Sequence, residues 1–446
     1  MKRFLNHLIG AFLIGCSFTP LALAQDSLML NFEEAVSLAL AHNLDYQILV
    51  NNQEVVKKQA ASAVASHFPT ASISSSFLRQ TGQQFQQIEG EIVVTKETNN
   101  IVSPGFSLNM PIFNAGRRIL DTQSAILDRQ AGENGLQRAR QQVVFDVSRR
   151  YMQVLLDQEL LRIAQENLGS QKELLLQIEG FVDAGLRTLS DLYNQQAEVA
   201  RVESIVLDAE LALANDRWLL GEYLQLEKGK VPHLEPVDFS SKAGISPELN
   251  LGYWTDQALT ARKDLLQAEL LENSYKKDFQ AVKAMLYPRI NGFYNYGTFY
   301  TSLDSRAIKS QLLDIYPQNT FGLSLSIPIF NGFLTRVDMA RSKMTYQNQI
   351  LRREALDRKV HQEVVLAYQT YLNAVKKSEN SKVRLLAAQE AQKAVAERFR
   401  LGLSNFVDLA TANQTLVNAE ADLAQATYTL YFQEVWVKFA LGTLEF

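Results

Sequence analysis

The groups that could do chemistry in this 446-residue chain are five histidines, one cysteine, seven methionines and 48 carboxylates. His7, His42, His67, His233 and His361 are dispersed, and none falls into an HxxxH or HExxH pattern that would set ligands on one helical face. Cys16 stands alone, which excludes a disulfide framework, a cysteine-ligated zinc site and a CxxC redox pair. The methionines do not cluster, so nothing supports a soft copper or silver site. No glycine-rich loop is present to cradle a phosphate. With 44 Lys and Arg against 48 Asp and Glu the formal net charge is −4, which excludes the basic footprint of a nucleic-acid binder. No catalytic residue, metal or cofactor is expected. The acids that stand out are Asp191 and Asp408. Each lies three residues past an N-capping type, Thr188 or Asn405, where a carboxylate serves the orphan amides and the dipole of a helix start.

Those two acids occupy matched places because the chain is written twice. Met110-Pro111-Ile112-Phe113-Asn114 recurs as Ile327-Pro328-Ile329-Phe330-Asn331, an offset of 217 residues. The same offset carries Tyr151 to Tyr368, Gly185 to Gly402, Asp191 to Asp408 and Glu203 to Glu420. Phe68-Pro69 corresponds to Tyr287-Pro288 at an offset of 219. The repeats are read as residues 31–225 and 250–446, joined by a Pro- and Gly-containing stretch at 226–249.

Each repeat reads as a helix, two strands and a very long helical hairpin. Glu33 to Ser66 has apolar residues at helical spacing and stops before Pro69. The period then changes to two. Near 70–113, Ala71, Ile73 and Phe77 alternate with small polar residues, as do Phe106, Leu108, Met110 and Ile112. Near 289–330, Phe321, Leu323, Leu325, Ile327 and Ile329 alternate in the same way, after an aromatic strand from Ile290 to Tyr300. Polar loops are expected at 79–100 and 301–319. Neither Pro nor Gly interrupts Phe333 to Leu401, enough for a helix of roughly 100 Å at 1.5 Å per residue. Heptad-like apolar spacing predicts coiled-coil packing. Gly185 and Gly402 suit left-handed C-caps, and Thr188 and Asn405 suit N-caps, so hairpin tips are expected at 185–190 and 402–407.

Residues 1–24 read as a signal peptide: Lys2-Arg3, an apolar stretch from Leu8 to Phe18, and Ala22-Leu23-Ala24 before the cut. Cleavage there removes two cations and leaves a charge of −6. Leu13-Ile14-Gly15-Cys16 also has the form of a lipoprotein box, with Cys16 as the lipidated residue. No other stretch is apolar enough for a transmembrane helix. Four strands with one apolar face suit a barrel wall against lipid. Four cannot close, so the chain must oligomerise, since open edges are forbidden in hydrocarbon. A small soluble sheet beside a coiled coil is the competing reading of the pattern.

The duplicated strand, Pro-Ile-Phe-Asn and long-helix pattern resembles the TolC-type outer-membrane efflux proteins. The tips at Gly185-Leu186 and Gly402-Leu403 and the closing Leu441-Gly442 share in the resemblance, which covers essentially the whole mature chain. It implies a mixed α and β membrane protein of the Gram-negative outer membrane. It implies a trimer with a 12-stranded transmembrane β-barrel, a hollow α-helical barrel through the periplasm and an equatorial region at the inter-repeat stretch. The implied function is the exit duct of a tripartite efflux pump or type I secretion system, a passive gated conduit. Its implied partners are two further copies, outer-membrane lipid, a periplasmic adaptor and an inner-membrane pump or ABC exporter. The tip residues Gly185, Leu186, Thr188, Gly402, Leu403 and Asn405 are the implied docking surface. Pro111, Phe113, Asn114, Pro328, Phe330 and Asn331 mark the strand-to-helix junctions, and Phe106, Leu108, Leu323 and Leu325 face lipid. A trimer would multiply Asp191 and Asp408 into acidic rings at the entrance, which favour cations. At the positions where some members latch the tip with a Tyr and an Arg, this chain has Phe399 and Ser404. A periplasmic coiled-coil adaptor is the alternative function.

Overall fold

The computed structural model describes residues 28–88, 90–227, 229–235 and 251–445. The expected signal peptide, with Cys16, and residues 236–249 of the inter-repeat stretch lie outside them.

The chain order is β1 (Leu28–Leu30), α1 (Phe32–His42), α2 (Leu44–Ala65), β2 (Thr70–Gln80), β3 (Gln84–Ile88), β4 (Glu91–Thr95), β5 (Asn99–Phe113), α3 (Arg117–Asp183) and α4 (Leu189–Tyr223). It continues with β6 (Pro232–Leu234), α5 (Leu251–Ala261), α6 (Lys263–Lys283), β7 (Arg289–Gly297), β8 (Tyr300–Thr301), the single turn α7 (Ile308–Ser310), β9 (Gln318–Ser326), α8 (Leu334–Arg400) and α9 (Phe406–Leu441). The long helices α3 and α8 have 67 residues each, about 100 Å at 1.5 Å per residue. Their hairpin partners α4 and α9 have 35 and 36 residues and cover only the tip-proximal half. The shorter α2 and α6 lie beside the strand-proximal half instead. The helices thus form one row: α2 and α4 in line, then α3, then α6 and α9 in line, then α8. Glycines let the row close up. A Cβ at Gly132 would stand 1.9 Å from Gln53 Oε1, and one at Gly135 would stand 2.6 Å from Gln267 Nε2.

The strands β2, β5, β7 and β9 form one antiparallel sheet in that order, with β8 paired to the end of β5. Three expectations need correction. The expected helix from Glu33 to Ser66 is two helices. Asn43 has an extended backbone, its N–H bonds Ala39 O, and its side chain caps α2 through Tyr46 N at 2.9 Å. The polar loop at 79–100 contains a hairpin, β3 with β4. Ile327, Pro328, Ile329 and Phe330 are not in a strand, because β9 ends at Ser326 opposite Arg289 and the next residue on β7's side is Pro288, which has no N–H to offer. A parallel pair not anticipated, Leu28–Leu30 with Pro232–Leu234, ties the described start of the chain to the inter-repeat stretch.

The main core lies where these parts meet. Leu30, Val36, Val147, Tyr151, Val154, Leu220 and Leu234 are buried together there. The Tyr151 hydroxyl donates to Leu30 O and Glu235 O at 3.2 and 2.9 Å. In the second repeat Trp254 packs edge-on to Tyr368 at 5.1 Å, as Phe32 does to Tyr151 at 5.5 Å.

Candidate functional site

The sheet register sorts its side chains into two faces. Ile73, Phe106 and Tyr296 stand in one row, Ala71, Leu108, Tyr294 and Phe321 in the next, then Met110, Gly292 and Leu323, then Ile290 and Leu325. All four residues expected to face lipid, Phe106, Leu108, Leu323 and Leu325, are on this one face. Ile73 and Phe321 are each 84% exposed, so nothing among the described residues covers it. The other face is small and polar. Ser72 and Ser107 hydroxyls meet at 2.7 Å, and Asn291 pairs with Ser324. Leu78 and Ile101 interrupt it at one end, and Phe293 does so in the middle, where it fits because its partner is Gly322, at which any Cβ would meet the ring at 2.7 Å. Each edge strand, β2 and β9, has a single neighbour in the sheet.

At the junctions Pro111 and Phe113 are still in β5, and a register shift lies between them. Two consecutive left-handed residues then reverse the chain into each long helix: Ala115 and Gly116 (φ 54° and 78°) in the first repeat, Gly332 and Phe333 (φ 66° and 64°) in the second. Asn114 and Asn331 precede them. Asn114 O accepts from Arg117 N at 3.1 Å, and the Asn331 side chain donates to Thr335 Oγ1 at 2.6 Å. Phe330 is 74% exposed and packs edge-on to Phe333.

Both tips are built alike. Gly185 (φ 73°) and Gly402 (φ 77°) end the long helices in Schellman turns, with Leu186 N bonding Phe181 O and Leu403 N bonding Arg398 O, each at 2.8 Å. The turns leave Leu186 and Leu403 71% and 67% exposed. Thr188 and Asp191 form a full capping box, with Asp191 N to Thr188 Oγ1 at 3.2 Å and Thr188 N to Asp191 Oδ2 at 3.3 Å. The second tip has only half of it. Asp408 N donates to Asn405 Oδ1 at 2.8 Å, while the Asp408 carboxylate accepts from Ser404 Oγ at 2.9 Å. Phe399, at one of the two latch positions, is buried with Ile178 and Leu409. Arg187 lies 4.1 Å over its ring and donates to its carbonyl at 2.7 Å. This clasp between the hairpins was not foreseen; its only sequence signal is a cation in the first tip.

A second cluster, also unforeseen, surrounds the end of α9. Arg262 breaks the helix between α5 and α6, as Asn43 does between α1 and α2 at the offset of 219 residues. It is 3% exposed, and it donates to Asp264, to Glu363 at 2.6 Å and to Ala440 O at 3.3 Å. Arg138 donates to Phe439 O at 2.8 Å, and Gln141 Nε2 donates to Gly442 O at 2.9 Å. The last carbonyls of α9 therefore find partners on other helices. Burial works against the Asp264 charge, but the hydrogen bonds and charge of Arg262, helped by Arg138, hold its pKa below the ordinary carboxylate range. Burial, together with repulsion from Arg262, lowers the Arg138 pKa to about 10. Gly442 (φ 75°) is required here, because a Cβ would stand 2.9 Å from Arg262 Cα.

A row of long helices ending in a sheet with one lipid-like face defines an outer-membrane channel protein. The chain belongs to the outer membrane efflux protein family, whose model matches residues 35–224 and 254–443. It is an outer-membrane protein, and the match sets aside the periplasmic-adaptor alternative. The chain is similar to outer membrane protein TolC of Escherichia coli, at 24% identity over 464 residues covering 100% of this chain and 87% of that one. A structure of CusC superposes with a TM-score of 0.79 at 18% identity, covering 92% of both chains. The outer-membrane channel OprN superposes with a TM-score of 0.78 at 21% identity, covering 92% of this chain and 90% of that one.

Proposed function

We propose that three copies form the exit duct of an efflux pump or type I secretion system, open through the outer membrane and the periplasm. The observation that carries this reading is the four-stranded sheet with one continuous apolar face and two unpaired edges. In hydrocarbon each unpaired backbone group costs several kcal/mol, so other strands must complete the wall. The two edge strands run in opposite directions, which suits β9 of one copy to pair with β2 of the next. Three copies then give a closed 12-stranded barrel, and the rows of helices give a hollow α-barrel beneath it. The conduit performs no reaction; an inner-membrane pump or ABC exporter supplies the energy.

The tips at Gly185, Leu186, Thr188, Gly402, Leu403 and Asn405 are the docking surface for a periplasmic adaptor. The two exposed leucines support this, because nothing among the described residues covers them. Asp191 and Asp408 form acidic rings at the same end. The register gives the test. Leu325→Arg is expected to cost about 2–4 kcal/mol at the bilayer midplane and to deplete the protein extracted from outer membranes. Ser324→Arg, on the opposite face, is expected to leave that yield nearly intact. Equal losses from both would contradict the lipid-facing assignment.

A further inference from the structure

The row of helices has two ends, α4 and α8, and each has a free flank. On α4 the free flank carries Leu207, Leu211 and Trp218, which are 64%, 71% and 60% exposed. The internal duplication says what such a flank is for. At the offset of 217 residues these three correspond to Ala424, Tyr428 and Val435 of α9. Within the copy Ala424 and Tyr428 pack against Leu156, Leu160 and Ile163 of α3. The corresponding residues of α8 are Asn373, Lys377 and Asn380, all exposed on its free flank. The same geometry therefore recurs with different chemistry: an apolar contact inside the copy, a polar one on the free flank of α8.

Charge agrees with that pairing. Helix α4 has seven acids and two arginines, a net of −5. The tip-proximal half of α8, residues 367–400, has seven cations and three acids, a net of +4. Among the described residues, Asp208 and Glu210 on α4 and Lys377 and Lys382 on α8 make no ion pair within the copy. Lysine stems can lie along leucine side chains while their ammonium groups reach acids a turn away.

We infer that α4 of one copy seats on α8 of a second copy, with Leu207 and Leu211 over Asn373, Lys377 and Asn380, and that opposite charge orients this seam. The inference rests on the trimer reading above and adds which residues meet and by what force. A seam of this kind weakens with salt, whereas the α3–α9 contact does not.

The test introduces Leu211→Cys and Lys377→Cys into one chain and treats the membrane-extracted protein with a short bismaleimide. Native mass spectrometry of the untreated protein runs in parallel. Covalent dimers and trimers are expected from the double variant and not from either single variant. A trimer by mass that yields no such species overturns the seam and leaves the trimer reading standing; a monomer by mass overturns both. As a second arm, Lys377→Glu with Lys382→Glu should shift trimer dissociation to lower temperature at low salt. Adding Asp208→Lys and Glu210→Lys should restore it. No shift in the first pair, or no restoration in the combination, would remove the electrostatic part of the inference.

Discussion

Asp157 sits buried on α3, and Gln153 donates to one of its oxygens at 3.0 Å. Its other oxygen meets no donor, and the Asp216 carboxyl of α4 is its acidic neighbour. Burial, and then the neighbouring Asp216 carboxyl, push the Asp157 pKa up to about 7. The folded chain therefore holds a proton that the unfolded chain releases near pH 4, and the hairpin loses stability as pH rises from about 4 to about 7. Asp157→Asn should flatten that slope, and thermal melts at pH 5 and pH 8 would measure it. An unchanged slope would mean that Asp157 does not take up a proton on folding. The tip acids differ in kind. Asp191 is bound into a capping box, so Asp191→Asn should cost up to about 1 kcal/mol of hairpin stability, whereas Asp408→Asn, whose carboxylate meets only a hydroxyl, should cost less. If both also form rings, the double variant should show weaker cation preference in planar-bilayer recordings. Unchanged selectivity would leave both residues as helix caps only.

At the scale of elements, what was legible in the sequence was whatever repeats locally. Period-two alternation marked the strand faces around Phe106 and Leu325, and Gly185 and Gly402 marked the tips, because a left-handed C-cap demands that residue type next to the helix it ends. Features made by distant partners were not legible. Arg187 clasps Phe399 across 212 residues, and Arg262 reaches Ala440 across 178. The break at Asn43 was hidden because apolar residues continue on both sides of it, and β1 is three residues whose partner lies across the whole first repeat. The second-tip glycine yields a direct experiment. Gly402→Val has open space around it but a left-handed backbone, which should cost roughly 1–2 kcal/mol locally. Trimer assembly should survive while export and cross-linking to the adaptor are lost. Retained cross-linking would separate the tips from docking.

For the whole molecule, duplication explains why one chain supplies two similar hairpins and four strands but no closed wall. The sheet and the helical row are open at corresponding ends, and no helix among the described residues is long and apolar enough to cross a membrane. On the proposed reading lipid covers the apolar strand face, and further copies close the wall. The most direct measurement is electron cryomicroscopy of the mature protein in lipid nanodiscs. The account predicts three-fold particles in which β9 of each copy pairs with β2 of the next around a 12-stranded ring, continued below by a hollow helical barrel. A monomer with its sheet face turned away from the lipid, or a ring closed by any other strands, would contradict it.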